Sequence, residues 1–447
     1  MPLRTGLAGK DPVVMNAPST IDLARISAMD LAHAARLLKG VHDATLSGQR
    51  PRLVPRPVIR ESWERMLADG VDPDHGSRSP LLGEEELEER RRASPLREVL
   101  PVLGDALVSV ADAAQHIMVV CDAQGRVLWR EGSAAVLRKA DSLGFEPGAD
   151  WAESVVGTNG LGTPLVVRRP VQVFSAEHFV RTQHSWTCAG APVTDPRDGR
   201  LLGVVDVSGP LRTMHPATLA LVGSVAKLAE ARLRERHVTA LERLRAVAAP
   251  VLARLEGRAI AVDTHGWTAA VTGMPPADRL ALPTSLAAGR TWLPSLGSCR
   301  VEPLPGGWLL RPEAPGGPPE PLPATRLVLD VSEPRRWTLS VFGGARDWTH
   351  ELSPRHAELL YLLATHRKGR SASGLAQDMF GDPARTVTVR AELSRVRRYL
   401  GGGVLAHRPY RFHEDVEVEV VTPDSPARLL PHSVAPAIRD ARSVAEP

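Results

Sequence analysis

The chain has 447 residues, 43% of them apolar and 24% charged, with a net charge of +4; this is a globular composition with room for about three domains. Cys121, Cys188 and Cys299, the three cysteines, are too widely spaced for a disulfide framework or a zinc ribbon. No apolar run is long enough to cross a membrane, and Lys10 and Asp11, with no apolar core after them, do not fit a signal peptide, so a cytoplasmic location away from the membrane is expected.

In chain order, residues 1–20 are expected to be disordered and residues 21–107 to form a helical region. Leu31, Ala34, Leu37, Leu38 and Val41 have helical spacing, residues 59–66 continue it, and residues 84–107 read as one helix whose charged entry, EEELEERRRA, is a solvated face. Residues 117–121 and 126–129, joined by DAQG, predict a hairpin in which Cys121 is core.

Residues 151–209 hold three phrases that wall a small pocket. In WAESVVGTNGLGTPL, Gly157, Gly160 and Gly162 stand among Thr158, Asn159 and Thr163, and the apolar run 164–167 reads as a loop entering a strand. In EHFVRTQHSWTCAGAPV, His178, Phe179, His184, Trp186 and Cys188 crowd together before a turn, DPRDG. The third phrase, RLLGVVDVSG, reads as a buried strand carrying Asp206, and with the segment before the turn it predicts a hairpin with Trp186 and Cys188 at its base.

Residues 216–255 predict a long helix, longer than one small domain needs. It is either a dimer seam or two helices broken near His237. Residues 257–311 alternate short apolar runs with Gly and Pro and predict a small β-rich module, whose AIAVDTHGWTAAVTGMPP resembles the opening of a PAS domain. Residues 312–324 read as a stiff proline-rich linker. Strands at 326–331 and 337–342 precede a helix capped by Ser353 with Pro354 at its first position. A second helix over 372–380 ends at Gly381. A third opens at Pro383, with Val389, Leu393, Val396 and Leu400 facing inward, and VLAHRPYRF makes a hairpin. Residues 422–447 are expected to be a disordered tail.

Two resemblances follow. The three phrases, with SWERMLADGVDPD at 62–74 and VCDAQGRVLW at 120–129, resemble the amino-terminal sensor half of acetoin-catabolism-type bacterial activators, whose sensor is a GAF domain. The resemblance implies, for residues 108–237, a six-stranded antiparallel sheet with helices on one face, holding a small molecule. Residues 326–419 resemble the winged-helix DNA-binding domain of OmpR-like response regulators. No GxxxxGK[ST] phosphate loop is found, so the ATPase module of the acetoin-type activators is expected to be absent.

The expected architecture is therefore multidomain α+β, with a GAF domain, a PAS-like module and a winged helix. Residues 351–413 carry eleven Arg or Lys against five Asp or Glu, an excess larger than that of the whole chain. Candidate DNA contacts are Arg385, Thr388, Arg390, Ser394, Arg395, Arg397 and Arg398 on the third helix, with Arg408 and Arg411 on the wing. Candidate effector contacts are Trp151, Thr158, Asn159, Thr163, His178, Phe179, His184, Trp186, Cys188 and Asp206. Of these, Trp151, Phe179 and Trp186 either line a pocket or pack the sheet, and Thr158 and Asn159 either shape a turn or touch ligand. Two alternatives stand beside the regulator: a metal or redox sensor using His178, His184 and Cys188, and a thiol enzyme resembling GAF-fold sulfoxide reductases. The expected partners are double-stranded DNA, a small-molecule effector, a second copy of the chain and RNA polymerase; neither cofactor nor metal is expected.

Overall fold

The computed structural model describes residues 20–443 except 50, 52, 77–79, 114, 281, 284, 285, 294, 314–324, 335, 343–347 and 401–403. Residues 1–19, most of the proline-rich stretch and residues 444–447 lie outside the described residues. The chain is α+β, built on sheets of five, five and four strands in chain order.

The first sheet runs Val127–Gly132, Ile117–Asp122, Leu201–Pro210, Trp186–Thr194, Val171–Phe174, and every neighbouring pair is antiparallel. Its central strands are buried on both sides. Met118, Val120 and Val205 face the helices Leu100–Ala113 and Pro216–Leu252, while Ile117, Val119 and Val204 face Ala134–Asp141 and Gly162–Val167. The expected six strands with helices on one face thus become five strands, among the described residues, with helices on both. Continuous apolar runs such as Ile117–Asp122 are the signature of that double burial.

Two local expectations are corrected. Residues 164–167 belong to the helix Gly162–Val167, not to a strand. The Asn159 side chain accepts from the Leu161 and Gly162 amides, both at 2.8 Å, and this turn launches the helix. Residues 84–107 are not one helix either. Glu84–Ala93 stops before Pro95, whose missing N–H cannot continue the ladder; a short 3-10 turn, Pro95–Glu98, follows, and then Leu100–Ala113.

Ahead of the sheet, Leu31–Leu46 and Pro57–Ala68 close its edge by packing Val41, Ile59, Trp63 and Met66 against Val171, Val173, Phe179 and Val180. Behind it, Pro216–Leu252 is a single 37-residue helix that continues through His237. Its first half buries Val222, Val225, Ala226 and Ala229 on the first sheet, and its second half buries Ala248 and Leu252 on the next. Two sheets to cover account for a length that one domain would not need.

The second sheet runs Gly289–Leu293, Gly297–Leu304, Gly307–Pro312, Ala259–Asp263, Thr268–Thr272, also antiparallel. Numbered within each unit, both five-stranded sheets have the order 2-1-5-4-3. The third sheet runs Trp348–Glu351, Thr338–Phe342, Thr325–Asp330, Val416–Val421, the last pair parallel. Against it pack Pro354–Thr365, Ala372–Phe380 and Thr386–Leu400, followed by the hairpin Leu405–His407 and Tyr410–Phe412. The Ser353 cap forms, with its hydroxyl accepting from the His356 amide at 3.3 Å. The third helix begins at Thr386 rather than Pro383.

The expected tail is also corrected. Residues 426–428 form a 3-10 turn and Pro436–Ser443 a helix, and Leu429, Leu430, Ala435 and Ile438 enter the core of the third unit.

Candidate functional site

Where the antiparallel strands Trp186–Thr194 and Leu201–Pro210 pair, Cys188 stands opposite Ser208 and Gly190 opposite Asp206. Three buried polar side chains meet at this place. His178 Nδ1 lies 2.9 Å from the Ser175 carbonyl oxygen and its Nε2 lies 3.3 Å from Cys188 Sγ. Because a carbonyl only accepts, Nδ1–H donates to Ser175 and Nε2 is left to accept from the thiol. Burial holds the imidazole neutral by lowering His178 to about 3, and it pushes the Cys188 thiol well up, with Asp206 adding to the rise. The Ser208 hydroxyl donates to Asp206 Oδ2, while Asp206 Oδ1 is buried with no hydrogen-bond partner.

Burial raises the Asp206 carboxyl to about 7, against the opposing hydrogen bond from Ser208. In an unfolded chain the same group titrates near pH 4. Between about pH 4 and pH 7 the folded chain therefore holds a proton that the unfolded chain has lost, and stability falls as pH rises through that window. Asp206→Asn removes the titration. Its thermal midpoint relative to wild type is expected to climb between about pH 4 and pH 7; a constant difference would show that Asp206 is ionised to the same extent folded and unfolded.

A loop is pressed onto this cluster. A Cβ on Gly160 would overlap Asp206 Oδ1 and come within 2.5 Å of the Cys188 Cβ. Asn159 holds the loop in place, donating to Gly157 O at 2.7 Å and Trp151 O at 3.2 Å besides accepting from two amides. Thr163 donates to Glu153 Oε1 at 2.9 Å, and the Thr158 hydroxyl meets that of Ser62 at 2.6 Å. These polar side chains shape the loop.

The candidates divide accordingly. His178, Cys188 and Asp206 converge, and Thr158, Asn159 and Thr163 brace the loop above them. Trp151 stacks on Phe145 at 4.0 Å, Phe179 packs beside Trp63, and Trp186 lies in the sheet core. His184 turns away: its Nε2 lies 3.2 Å from the His178 carbonyl oxygen and its ring meets His42 edge-on at 4.8 Å. Among the described residues no three His, Cys, Asp or Glu side chains gather where they could hold a metal ion.

Residues the sequence did not single out support the site from below. Glu153, fully buried, accepts from Ser62 Oγ, from Thr163 and from Arg65, whose Nη2 is 2.8 Å away. Glu177, also buried, pairs with Arg56 Nη2 at 2.6 Å and accepts from the Phe174 amide at 3.0 Å. Both carboxylates lie within the quoted phrases, as do Ser62 and Arg65; what was missing was any sign that SWERM lies against them.

In the C-terminal unit, Arg385, Thr388, Arg390, Ser394 and Arg395 are exposed on the helix Thr386–Leu400 and at its entry, as is Val387. Val387, Arg390, Ala391 and Ser394 follow one another at helical spacing along one face. The other arginines are differently disposed. Arg395 Nη1 pairs with Glu392 at 2.6 Å, Arg397 is half-buried and donates to Leu405 O at 2.6 Å, and Arg411 pairs with Glu414 at 2.5 Å. Arg385 lies 5.3 Å over the Phe380 ring. Arg408 is exposed at the hairpin tip, and the Arg398 side chain lies outside the described residues.

Comparison with known proteins gives these arrangements a context. Residues 50–231 match the family described as MimR, N-terminal domain. The uncharacterized 47.3 kDa protein in the thcA 5' region of Rhodococcus erythropolis is 31% identical over 401 residues, covering 88% of this chain and 72% of that protein. The acetoin dehydrogenase operon transcriptional activator AcoR of Bacillus subtilis is 32% identical over 194 residues, covering 42% of this chain and 32% of the activator. The propane 2-monooxygenase operon transcriptional activator MimR of Mycolicibacterium goodii is 32% identical over 182 residues, covering 40% and 30%. This chain thus spans about a third of the length of those activators. Matched over most of both lengths, it belongs to the same family as the Rhodococcus protein, and its first half carries the sensor-type amino-terminal domain found in these transcriptional activators.

Proposed function

We propose that the chain is a one-component transcription regulator: a GAF sensor over 108–237 responds to a small-molecule effector and controls DNA binding by a winged helix over 326–419. The observation that carries this reading is the exposed face of Thr386–Leu400, where Arg390 and Ser394 are exposed, on a helix that touches, through Arg397, a hairpin tipped by Arg408. A helix of this kind fits a major groove, with the hairpin on the adjoining backbone. The 2-1-5-4-3 order of the first sheet suits a GAF domain, and the same order over 257–311 suits a small PAS-like module.

Arg385, Thr388, Arg390, Ser394 and Arg408 carry the DNA contacts in this reading, whereas Arg397 acts by bracing the hairpin. A second copy of the chain joins through the exposed side of the connecting helix at Leu228 and Val238, presenting two helices to paired half-sites. RNA polymerase is then the partner of the bound complex. The cluster of His178, Cys188 and Asp206, with the loop 157–163 over it, is where the effector acts. A thiol enzyme is disfavoured because burial keeps Cys188 in its unreactive neutral form.

Arg390→Ala is expected to weaken binding to a selected DNA site about tenfold and to lower the slope of log affinity against log salt by about one. Fluorescence anisotropy across a salt series measures both. An unchanged affinity and slope would remove this helix from the interface.

A further inference from the structure

A cleft of about 900 Å³ separates the first unit from the third. One wall is the end of the helix Glu84–Ala93, with Arg92, and the 3-10 turn Pro95–Glu98 after it, with Arg97; another is the hairpin turn carrying Arg197 and Arg200. The far wall holds Arg336 and Glu351 from the third unit.

The charges on these walls do not balance. Arg197 is held by Asp195 at 2.6 Å, and Arg200 by Asp198 at 2.8 Å. Two further carboxylates line the cleft and both are engaged: Glu98 pairs with Arg236 at 2.8 Å, and Glu351 reaches Arg200 across the gap at 3.4 Å. Arg92, Arg97 and Arg336 are exposed and have no acidic partner among the described residues. Three unneutralised guanidinium groups on opposing walls form a site for an anion with several charged oxygens, because each guanidinium presents a planar fork of N–H donors to such a group.

We infer that this cleft binds a small polyanion of the polyphosphate class, held from both sides by Arg92 and Arg97 on the first unit and Arg336 on the third. Such a ligand bridges the two units directly. Its site is separate from the buried cluster of His178, Cys188 and Asp206, and it does not depend on DNA binding by the third unit.

Calorimetric titration of the full chain with inorganic tripolyphosphate tests the proposal, at about 0.1 M salt, where diffuse attraction is screened beyond roughly 10 Å. One tripolyphosphate is expected per chain. Arg92→Ala and Arg336→Ala should each weaken binding about tenfold, the effect of losing one charge-assisted contact. Arg254→Ala, an exposed arginine outside the cleft, should leave it unchanged, and matching thermal midpoints verify that the variants fold. No binding to wild type overturns the proposal. So does an equal loss in Arg254→Ala, which marks diffuse attraction, or stoichiometric displacement by duplex DNA, which would place these arginines on a nucleic-acid track.

Discussion

Arg65→Ala is expected to destabilise the sensor unit by about 3–5 kcal/mol, the usual effect of removing one partner from a buried ion pair. Glu153 is buried, and Arg65 is its cationic partner, with Nη2 at 2.8 Å and Nε at 3.0 Å from Oε2. Ser62 and Thr163 also donate to this carboxylate, but hydroxyl dipoles cannot replace a full charge. The truncated variant must therefore admit water to the Glu153 carboxylate, and this loosens the 157–163 loop through Thr163. Urea titration followed by tryptophan fluorescence reads the loss, since Trp63 and Trp151 lie in the affected core. A loss below about 1 kcal/mol, the range of exposed pairs, would mean that Glu153 is solvated in the folded chain.

Gly190→Ala should be comparably damaging for a different reason. Its Cβ would overlap the Gly160 carbonyl oxygen and lie 3.0 Å from Pro164 Cγ. The obstruction is backbone, so no rotamer change relieves it; the loop must lift from the strand. A loss of about 3 kcal/mol is expected, at the upper end for overpacking. Cys188, shielded beneath that loop, should at the same time become reactive to a thiol reagent. Gly40→Ala provides the contrast, since its Cβ meets nothing within 4 Å and it sits inside the helix Leu31–Leu46. There the substitution should stabilise by about 1 kcal/mol through helix propensity. Equal behaviour of the two variants would show that the loop does not rest on the strand.

Local signals in the sequence were sufficient for the elements they govern. Ser353 with Pro354, Gly381 after the second helix, and the turn between the two long strands each act within a few residues, and each marked its element. Convergence of His178, Cys188 and Asp206 was partly legible because a hairpin brings two of them together. The support beneath was not. Arg65 and Glu153 are 88 positions apart, and nothing in the periodicity of either segment records an ion pair at that separation. The run 164–167 misled because an apolar tetrapeptide fits strand or helix equally, and only the Asn159 side chain decides. The C-terminal segment was missed because Leu429, Leu430, Ala435 and Ile438 are too sparse to form a pattern, though each finds a place in an existing core.

The unbroken helix Pro216–Leu252 also fixes an angle. At about 1.5 Å per residue it is a rod of roughly 55 Å, gripped by one sheet near Val222 to Ala229 and by another near Ala248 and Leu252. The two sheets are thus clocked to each other about a common axis. One residue inserted in the exposed stretch near Arg234 would turn the second sheet by about 100° relative to the first, while seven would return it to within about 20°. The helix transmits torsional phase as well as distance, so the spacing between the sheets is constrained in steps of whole turns.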